Sequence, residues 1–473
     1  MTGEVTLSIW TFLLLLSITV LAILDRIFIP SVRWFFQRKI NRVIDEINTR
    51  LDIEIRPFQV TKRRVLIDRL AYDPKVVQAI QTHAQEHNKP REIVQAEVLG
   101  YAKEIVPAFN AYLYFRMGYW LAKKIARFLY WVRVGFADNE QLASVDPDAT
   151  VVFVMNHRSN MDYILVAFMV AERTALSFAV GEWARIWPLQ TLLKSMGAFF
   201  VRRNSGNSLY RLVLERYVHM ATKEGVCQAV FIEGGLSHDG RLRQPKMGFI
   251  DYMLRTFEPE TDRDIVFIPV GINYDRTLED RSLLRTLDPL AEKRSLWFVV
   301  KTTARFIWRS LVLMVLSRWE RFGYACVNFG PHLSARDYCR SHGMNFSKMN
   351  RDARFPHVEK ICKSLMSSIE QIIPALPVSL VSAVMIQFSK HRLSAFEVEA
   401  RVHDLIDDIQ KRGAPIYVSR RSRAQNILTA LNMLKLRRLV TGSDGRFQAD
   451  PESLDILQYY ANSIDHWKQH PPQ

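Results

Sequence analysis

Val151-Val-Phe-Val-Met155, then Asn156-His157-Arg158-Ser159-Asn160-Met161-Asp162-Tyr163, then the apolar run Ile164 to Val170: the reading of this chain turns on that stretch. An unbroken β-branched and aromatic run fits a strand buried on both faces. Ala229-Val-Phe-Ile232, Ile265-Val-Phe-Ile268 and Ala325-Cys-Val-Asn-Phe329 repeat that texture, with helical stretches between them. Strand alternating with helix from Thr150 to Gly330 predicts an α/β domain with a mixed sheet flanked by helices. Ligands in such sheets gather at the carboxyl ends of strands, and His157 stands at one.

The spacing of His157 and Asp162 is not itself informative. His332 and Asp337, and His403 and Asp408, share it, so three of the twelve histidines satisfy H-x4-D. A solvated amphipathic helix explains His403, and the turn after Gly330-Pro331 explains His332. On a regular helix, residues five apart diverge by roughly 140°. His157 and Asp162 can therefore meet only across a turn, which Asn156, Ser159 and Asn160 favour. A histidine held by a carboxylate has a fixed tautomer and can take a proton from a hydroxyl. A histidine merely satisfied by a neighbouring carboxylate fits this segment, taken alone, equally well.

Three further segments belong with it. Gly197-Ala-Phe-Phe-Val-Arg202-Arg203 ends in paired guanidinium forks suited to a phosphate dianion, although double arginines are commonly surface charge. Phe231-Ile-Glu233-Gly234-Gly235-Leu236-Ser237 closes a strand with a carboxylate and a glycine pair that lets backbone N–H groups approach a ligand. Arg241, Arg243 and Lys246 follow in the same loop. Ile268-Pro269-Val270-Gly271 supplies a Pro-x-Gly break expected to shape the pocket wall.

The chain has 473 residues, 48% of them hydrophobic, and a formal net charge of +16, which calls for an anionic partner: nucleic acid, acidic lipid or a phosphorylated substrate. Cys227, Cys326, Cys339 and Cys362 show no metal-ligand or C-x-x-C spacing, so neither zinc nor disulfides are expected. Leu7 to Leu24 is an uncharged run of about 27 Å as a helix, enough to span a bilayer's hydrocarbon core. A cleaved signal peptide competes, but no basic residue precedes the run and Asp25-Arg26 stand where a small-residue cleavage site belongs. Arg26, Arg33, Arg38, Lys39 and Arg42 lie after it, which predicts an anchor with the bulk of the chain in the cytoplasm.

The expected organisation is thus an anchor over 1–30, a helical lead-in over 31–105, the α/β domain over 106–373 and a small helical domain over 374–473. Tyr112 to Val134 mixes aromatic with basic residues and has no acid, as in an interfacial membrane helix or a buried helix with snorkelling cations. Phe306 to Leu316 reads as interfacial too. Helices followed by Gly442-Ser-Asp-Gly445 and its flanking strands suggest a winged-helix shape at the C-terminus.

These segments, in this order, resemble the four blocks of the glycerophospholipid acyltransferase superfamily. They are most similar to the bacterial membrane-bound glycerol-3-phosphate acyltransferases, whose blocks read like HRSHMDY, GAFFIRR, VEGGRSRTGR and IPI. Tyr101-Ala-Lys-Glu-Ile105, Val327-Asn-Phe-Gly330, Pro377-Val-Ser-Leu380 and Tyr459-Tyr460 extend the likeness over roughly residues 100 to 465. The resemblance implies transfer of a fatty acyl group from acyl-CoA or acyl-carrier protein, as co-substrate and without a cofactor, to the sn-1 hydroxyl of glycerol 3-phosphate. By it His157 is the base, Asp162 its orienting partner, and Arg202 and Arg203 phosphate ligands. Glu233, Gly234, Gly235, Ser237, Arg241 and Pro269 form the acceptor site, and membrane lipid is a partner. Leu236 departs from the family's arginine after the paired glycines. The acceptor alternatives are 1-acylglycerol 3-phosphate and dihydroxyacetone phosphate.

Two other classes were weighed. A serine hydrolase would use Ser237 beside His238, but the G-x-S-x-G elbow is absent. A nucleic-acid-binding regulator would use Arg420, Arg421, Arg423 and Arg437 of the C-terminal domain. Nucleic acid is not expected as a partner.

Overall fold

The computed structural model describes residues 57–111, 113–136, 145–170, 176–181, 189–202, 205–287, 321–418 and 422–469. The expected anchor at Leu7 to Leu24, the first part of the lead-in and the apolar run from Phe306 lie outside them. No helix among the described residues is long and apolar enough to cross a membrane.

One mixed sheet organises the α/β domain. Its strands are β1 (Trp131–Phe136), β2 (Thr150–Met155), β3 (Ser177–Gly181), β4 (Ala198–Val201), β5 (Gln228–Phe231), β6 (Ile265–Tyr274), β7 (Tyr324–Phe329) and β8 (Leu333–Ser334). The spatial order is β1-β7-β6-β2-β5-β3-β4, with β8 on β6. From β6 to β4 the strands run parallel, while β7 and β8 pair with β6 antiparallel. Strand β2 is central, as its unbroken apolar texture requires. Its side chains alternate between two cores: Val152 and Val154 join one cluster, Val151, Phe153 and Met155 the other.

Helices Arg63–Ala71, Pro74–Glu86, Arg91–Ile105, Ser208–Lys223, Gly248–Leu254 and Arg351–Ile372 contribute to the cluster that covers Val152 and Val154. The described part of the lead-in is thus one layer of the sheet's cover. On the opposite face lie helix Met161–Val170, through Leu165 and Val166, and Leu129 of helix Tyr119–Leu129.

The stretch from Tyr112 to Val134 is not helical throughout. Helix Tyr119–Leu129 ends where Trp131-Val-Arg-Val-Gly-Phe136 becomes β1, in parallel register with β7. Alternating β-branched residues there override the continuity of basic and aromatic composition. The Pro-x-Gly break does not close its strand either, because β6 continues to Tyr274. Pro269 is tolerated because its carbonyl accepts from Gly330, so its ring nitrogen faces the gap between β8, paired up to Phe267, and β7, paired from Val270.

The C-terminal region has its own core, built from helices Pro377–Gln387, Ala395–Lys411, Arg423–Leu436 and Leu454–Asn462. Strands β9 (Leu393–Ser394), β10 (Val440–Ser443) and β11 (Arg446–Ala449) form an antiparallel sheet in the order β10-β11-β9.

Asp275, just past β6, joins the two regions. Its carboxylate accepts from the backbone N–H of Tyr324 at 2.8 Å and of Val378 at 2.9 Å. Burial pushes this carboxyl up to about 7 against the pull of those two donors. Between about pH 4 and 7 such a group carries more proton folded than unfolded, so its contribution to stability falls as pH rises. The thermal midpoint advantage of the wild-type chain over Asp275→Asn is therefore expected to narrow from pH 4 to pH 7. A widening advantage would mean that the carboxyl is already ionised in the acid fold.

Candidate active site

Beyond Met155 the chain leaves β2 as a turn, and helix Met161–Val170 starts only after it. Asn156 fixes the exit: its side chain exchanges two hydrogen bonds with the backbone of Ile272 in β6, at 2.8 and 3.0 Å. Asp162 lies in the first helical turn with its carboxylate folded back over the loop. Oδ2 accepts from His157 Nδ1 at 2.9 Å and from the N–H groups of Arg158 at 2.7 Å and Ser159 at 3.0 Å. Oδ1 accepts from the Tyr274 hydroxyl at 2.7 Å. The turn resolves the angular conflict of the five-residue spacing, because only Asp162 of the pair is helical.

His157 is fixed on every side but one. Its N–H donates to Glu233 Oε1 at 2.9 Å, its carbonyl accepts from Ser237 at 2.9 Å, and its ring stacks on Phe231 with centroids 3.8 Å apart. Since Nδ1 carries the proton toward Asp162, Nε2 presents a lone pair. Nε2 is buried with no hydrogen-bond partner among the described residues, and the ring lines a cavity of about 350 Å³. Tyr163, Val180, Val201, Leu214, Phe249 and Tyr252 give the cavity an apolar wall; Arg202, Arg211 and Lys246 are its cations.

The expected site residues separate on this geometry. His157, Arg202, Gly234 and Gly235 line the cavity. Arg203 lies outside the described residues. Arg202 is engaged: Nε and Nη2 grip the two oxygens of Glu104 at 3.0 and 2.7 Å, and its guanidinium lies beside the rings of Tyr101 and Tyr210, about 5 Å from each centroid. Glu233 does not line the cavity but holds backbone, Oε1 on His157 and Oε2 on the N–H of Arg243 at 2.8 Å. Burial pushes its carboxyl up to about 7, opposed by those two donors. Ser237 Oγ donates to the Arg241 carbonyl at 2.7 Å and accepts from Gly240 at 3.1 Å, so it shapes the loop. Arg241 turns away to Asp465 at 3.2 Å, and Pro269 sits within β6.

Sequence reasoning passed over the partners that hold these groups. Tyr274 lies in the stretch of β6 that was not read as strand. Glu279, whose oxygens take Ser159 Oγ at 2.7 Å and the Asn160 N–H at 3.3 Å, carried no motif; burial raises its carboxyl. Arg158 belonged to the quoted block but was given no role. It is buried, donates to the Gly240 carbonyl and lies 5.0 Å from the Tyr459 ring centroid. Gly240, at φ +88°, has the Tyr459 carbonyl where a Cβ would be, so only glycine permits that approach.

Comparison with known proteins bears on the same segments. Residues 133–273 match a family model described as Acyltransferase, and residues 310–471 match one described as Glycerol-3-phosphate acyltransferase C-terminal region. The first match spans the sheet from β1 to β6, and the second takes in β7 and the C-terminal region. Proteins similar to this chain include several named glycerol-3-phosphate acyltransferase. One from Xanthomonas campestris is 27% identical over 77% of this chain and 41% of its own length. Another, from Pseudomonas putida, is 33% identical over 57% and 32%. A third, from Aeromonas hydrophila, is 26% identical over 86% and 50%. The chain spans half or less of the length of these relatives. A solved 1-acyl-sn-glycerophosphate acyltransferase from Thermotoga maritima aligns with a TM-score of 0.31 and 14% identity, over 64% of this chain and 97% of that one.

Asp162→Asn should place an amide against Nδ1 and move the ring proton to Nε2, lowering turnover by about 10³- to 10⁴-fold. Tyr274→Phe removes one hydrogen bond to a charged acceptor, worth about 1.5–3 kcal/mol, and should slow turnover by about tenfold or more. Steady-state rates at a fixed acceptor concentration check both. Unchanged rates in the Asp162 variant would mean that its carboxylate holds only backbone.

Proposed function

We propose that this acyltransferase moves a fatty acyl group from a thioester donor, acyl-CoA or acyl-carrier protein, to the sn-1 hydroxyl of glycerol 3-phosphate, giving lysophosphatidic acid. One observation carries the mechanism: the Nε2 lone pair of a histidine whose other nitrogen is tied to a buried carboxylate lies at a cavity with an apolar wall and cationic side chains. His157 Nε2 takes the hydroxyl proton as the oxygen attacks the thioester carbonyl. The C–O bond forms, the C–S bond breaks, and the departing thiolate takes the proton back from the imidazolium. Asp162 stabilises that imidazolium and fixes the ring's orientation.

Direct transfer fits the surroundings better than a covalent enzyme intermediate. Ser237 Oγ is buried and bonded to the Arg241 carbonyl, with no histidine as its base. The relatives named glycerol-3-phosphate acyltransferase support this acceptor over 1-acylglycerol 3-phosphate or dihydroxyacetone phosphate. A nucleic-acid role finds less support, because Arg437 is buried against Asp280 and Tyr460 and Arg423 faces Asp407.

A lipid surface is the proposed working place. Trp120, Leu121, Trp131 and Val134 are exposed in a stretch that also carries Lys123, Lys124 and Arg133 and no acidic residue, which suits an anionic membrane interface. The apolar run at Leu7 to Leu24 would hold the chain to the inner membrane, with the catalytic domain on the cytoplasmic side.

Purified chain supplied with acyl-CoA or acyl-carrier protein should convert glycerol 3-phosphate to lysophosphatidic acid. His157→Ala should abolish the product while leaving the thermal midpoint near that of the wild type. Product identification by mass spectrometry with each acceptor in turn is the measurement. Preferential acylation of another acceptor would overturn the assignment, and activity in the His157 variant would overturn the mechanism.

A further inference from the structure

A phosphorylated acceptor needs cations whose hydrogen bonds are not already committed. Arg202, the expected phosphate ligand, has its fork filled bidentately by Glu104, the arrangement a phosphate would itself require. Arg241 pairs with Asp465, and Arg243 donates to the Leu236 carbonyl at 3.2 Å. Leu236, at the position of the family's extra arginine, packs against the C-terminal core. Arg203 lies outside the described residues; among the described ones two cavity cations remain, Arg211 and Lys246, and neither side chain makes a hydrogen bond or ion pair there.

Lys246 is held at the cavity by the backbone. The loop after Gly235 returns to the end of β5, where the Lys246 N–H donates to the Ile232 carbonyl at 2.8 Å. That bond lays the lysine stem across Gly234. A Cβ on Gly234 would lie 2.7 Å from Lys246 Cδ, and the residue sits at φ +67°. The first glycine of the pair thus makes room for a lysine side chain. Arg211 comes from the opposite wall, in the first turn of helix Ser208–Lys223, which also contributes Tyr210 and Leu214. Among the described residues no aspartate or glutamate lines the cavity, so none of them competes there for the two cations.

From this arrangement we infer that Lys246 and Arg211 form the subsite for a phosphomonoester dianion, that of the acceptor, while Arg202 is locked by Glu104 into a wall position. The inference rests on the acyl-transfer reading for the acceptor's identity but not for the phosphate chemistry. Phosphate groups of the thioester donor share that chemistry, and the kinetics separate the two sources.

The test uses the full-length protein and the variants Lys246→Ala, Lys246→Arg and Arg211→Ala, all at exposed side chains and checked for an unchanged thermal midpoint. Lys246→Ala should raise KM for glycerol 3-phosphate by about ten- to a hundredfold, the loss of a charge-assisted hydrogen bond, with KM for the acyl donor unchanged and Lys246→Arg restoring most of the loss. Independently of turnover, broadening of the ³¹P resonance of inorganic phosphate should be present in the wild type and in His157→Ala, and lost in Lys246→Ala and Arg211→Ala. Phosphate binding undiminished in those two variants, or a rise confined to the donor KM, overturns the inference. Phosphate binding that needs Lys246 in a protein that does not acylate glycerol 3-phosphate would uphold the subsite and refute only the acceptor reading.

Discussion

The Asp162 carboxylate is the constraint on which the site depends. It is fully buried and accepts four hydrogen bonds, from the His157 ring, two backbone N–H groups of the connecting turn and the Tyr274 hydroxyl. A carboxylate in that position would be costly without them. The donors come from three places in the sheet domain: the β2 exit, the turn and the far end of β6. The carboxylate is satisfied only when all three are in place, so the same interaction that orients His157 also fixes the register between strand, turn and helix. A regular helix from Asn156 onward would turn His157 and Asp162 apart by roughly 140°.

The sequence was informative where a residue's neighbours in the chain are also its neighbours in space. Strand β2, the turn and helix Met161–Val170 are contiguous, and their pattern of apolar run, polar turn and apolar run was readable. The cores of the other three runs named as strands were readable for the same reason, although β6 extends well beyond its first four residues. Strands β3 and β4 have only five and four residues, too few for a period to stand out from helix. Strand β1 was hidden by a composition that continues unchanged from the helix before it. Within the site, Arg202 was recognised as a cavity residue but its partner was not. Glu104 lies 98 positions earlier, and no spacing rule connects them. The reading of Glu233 shows the same limit from the other side: a carboxylate after a buried strand was visible, but that it would grip backbone on two segments was not.

The C-terminal region acquires a role from what helix Leu454–Asn462 touches. The Tyr459 ring lies against Arg158, the residue after His157, and the Tyr459 carbonyl abuts Gly240. Asn462 Nδ2 donates to the Asp239 carbonyl at 2.8 Å, and Asp465, just past the helix, holds Arg241. The Tyr460 hydroxyl caps Thr277 and bonds Asp280, next to Glu279 and its hold on Ser159 and Asn160. One helix therefore braces the turn after β2, the loop that carries Ser237 and Lys246, and the loop after β6. Each contact is individually modest, but together they join three loops that the sheet alone leaves connected at one end only. Leu236 belongs to that brace. An arginine in its place would point a charge at the C-terminal core, whereas leucine lets the loop close against it. The departure from the family pattern is thus coupled to packing: the loop has no cation at residue 236 and seats there against the C-terminal region, while the bond from the Lys246 N–H to the Ile232 carbonyl returns the loop to the cavity.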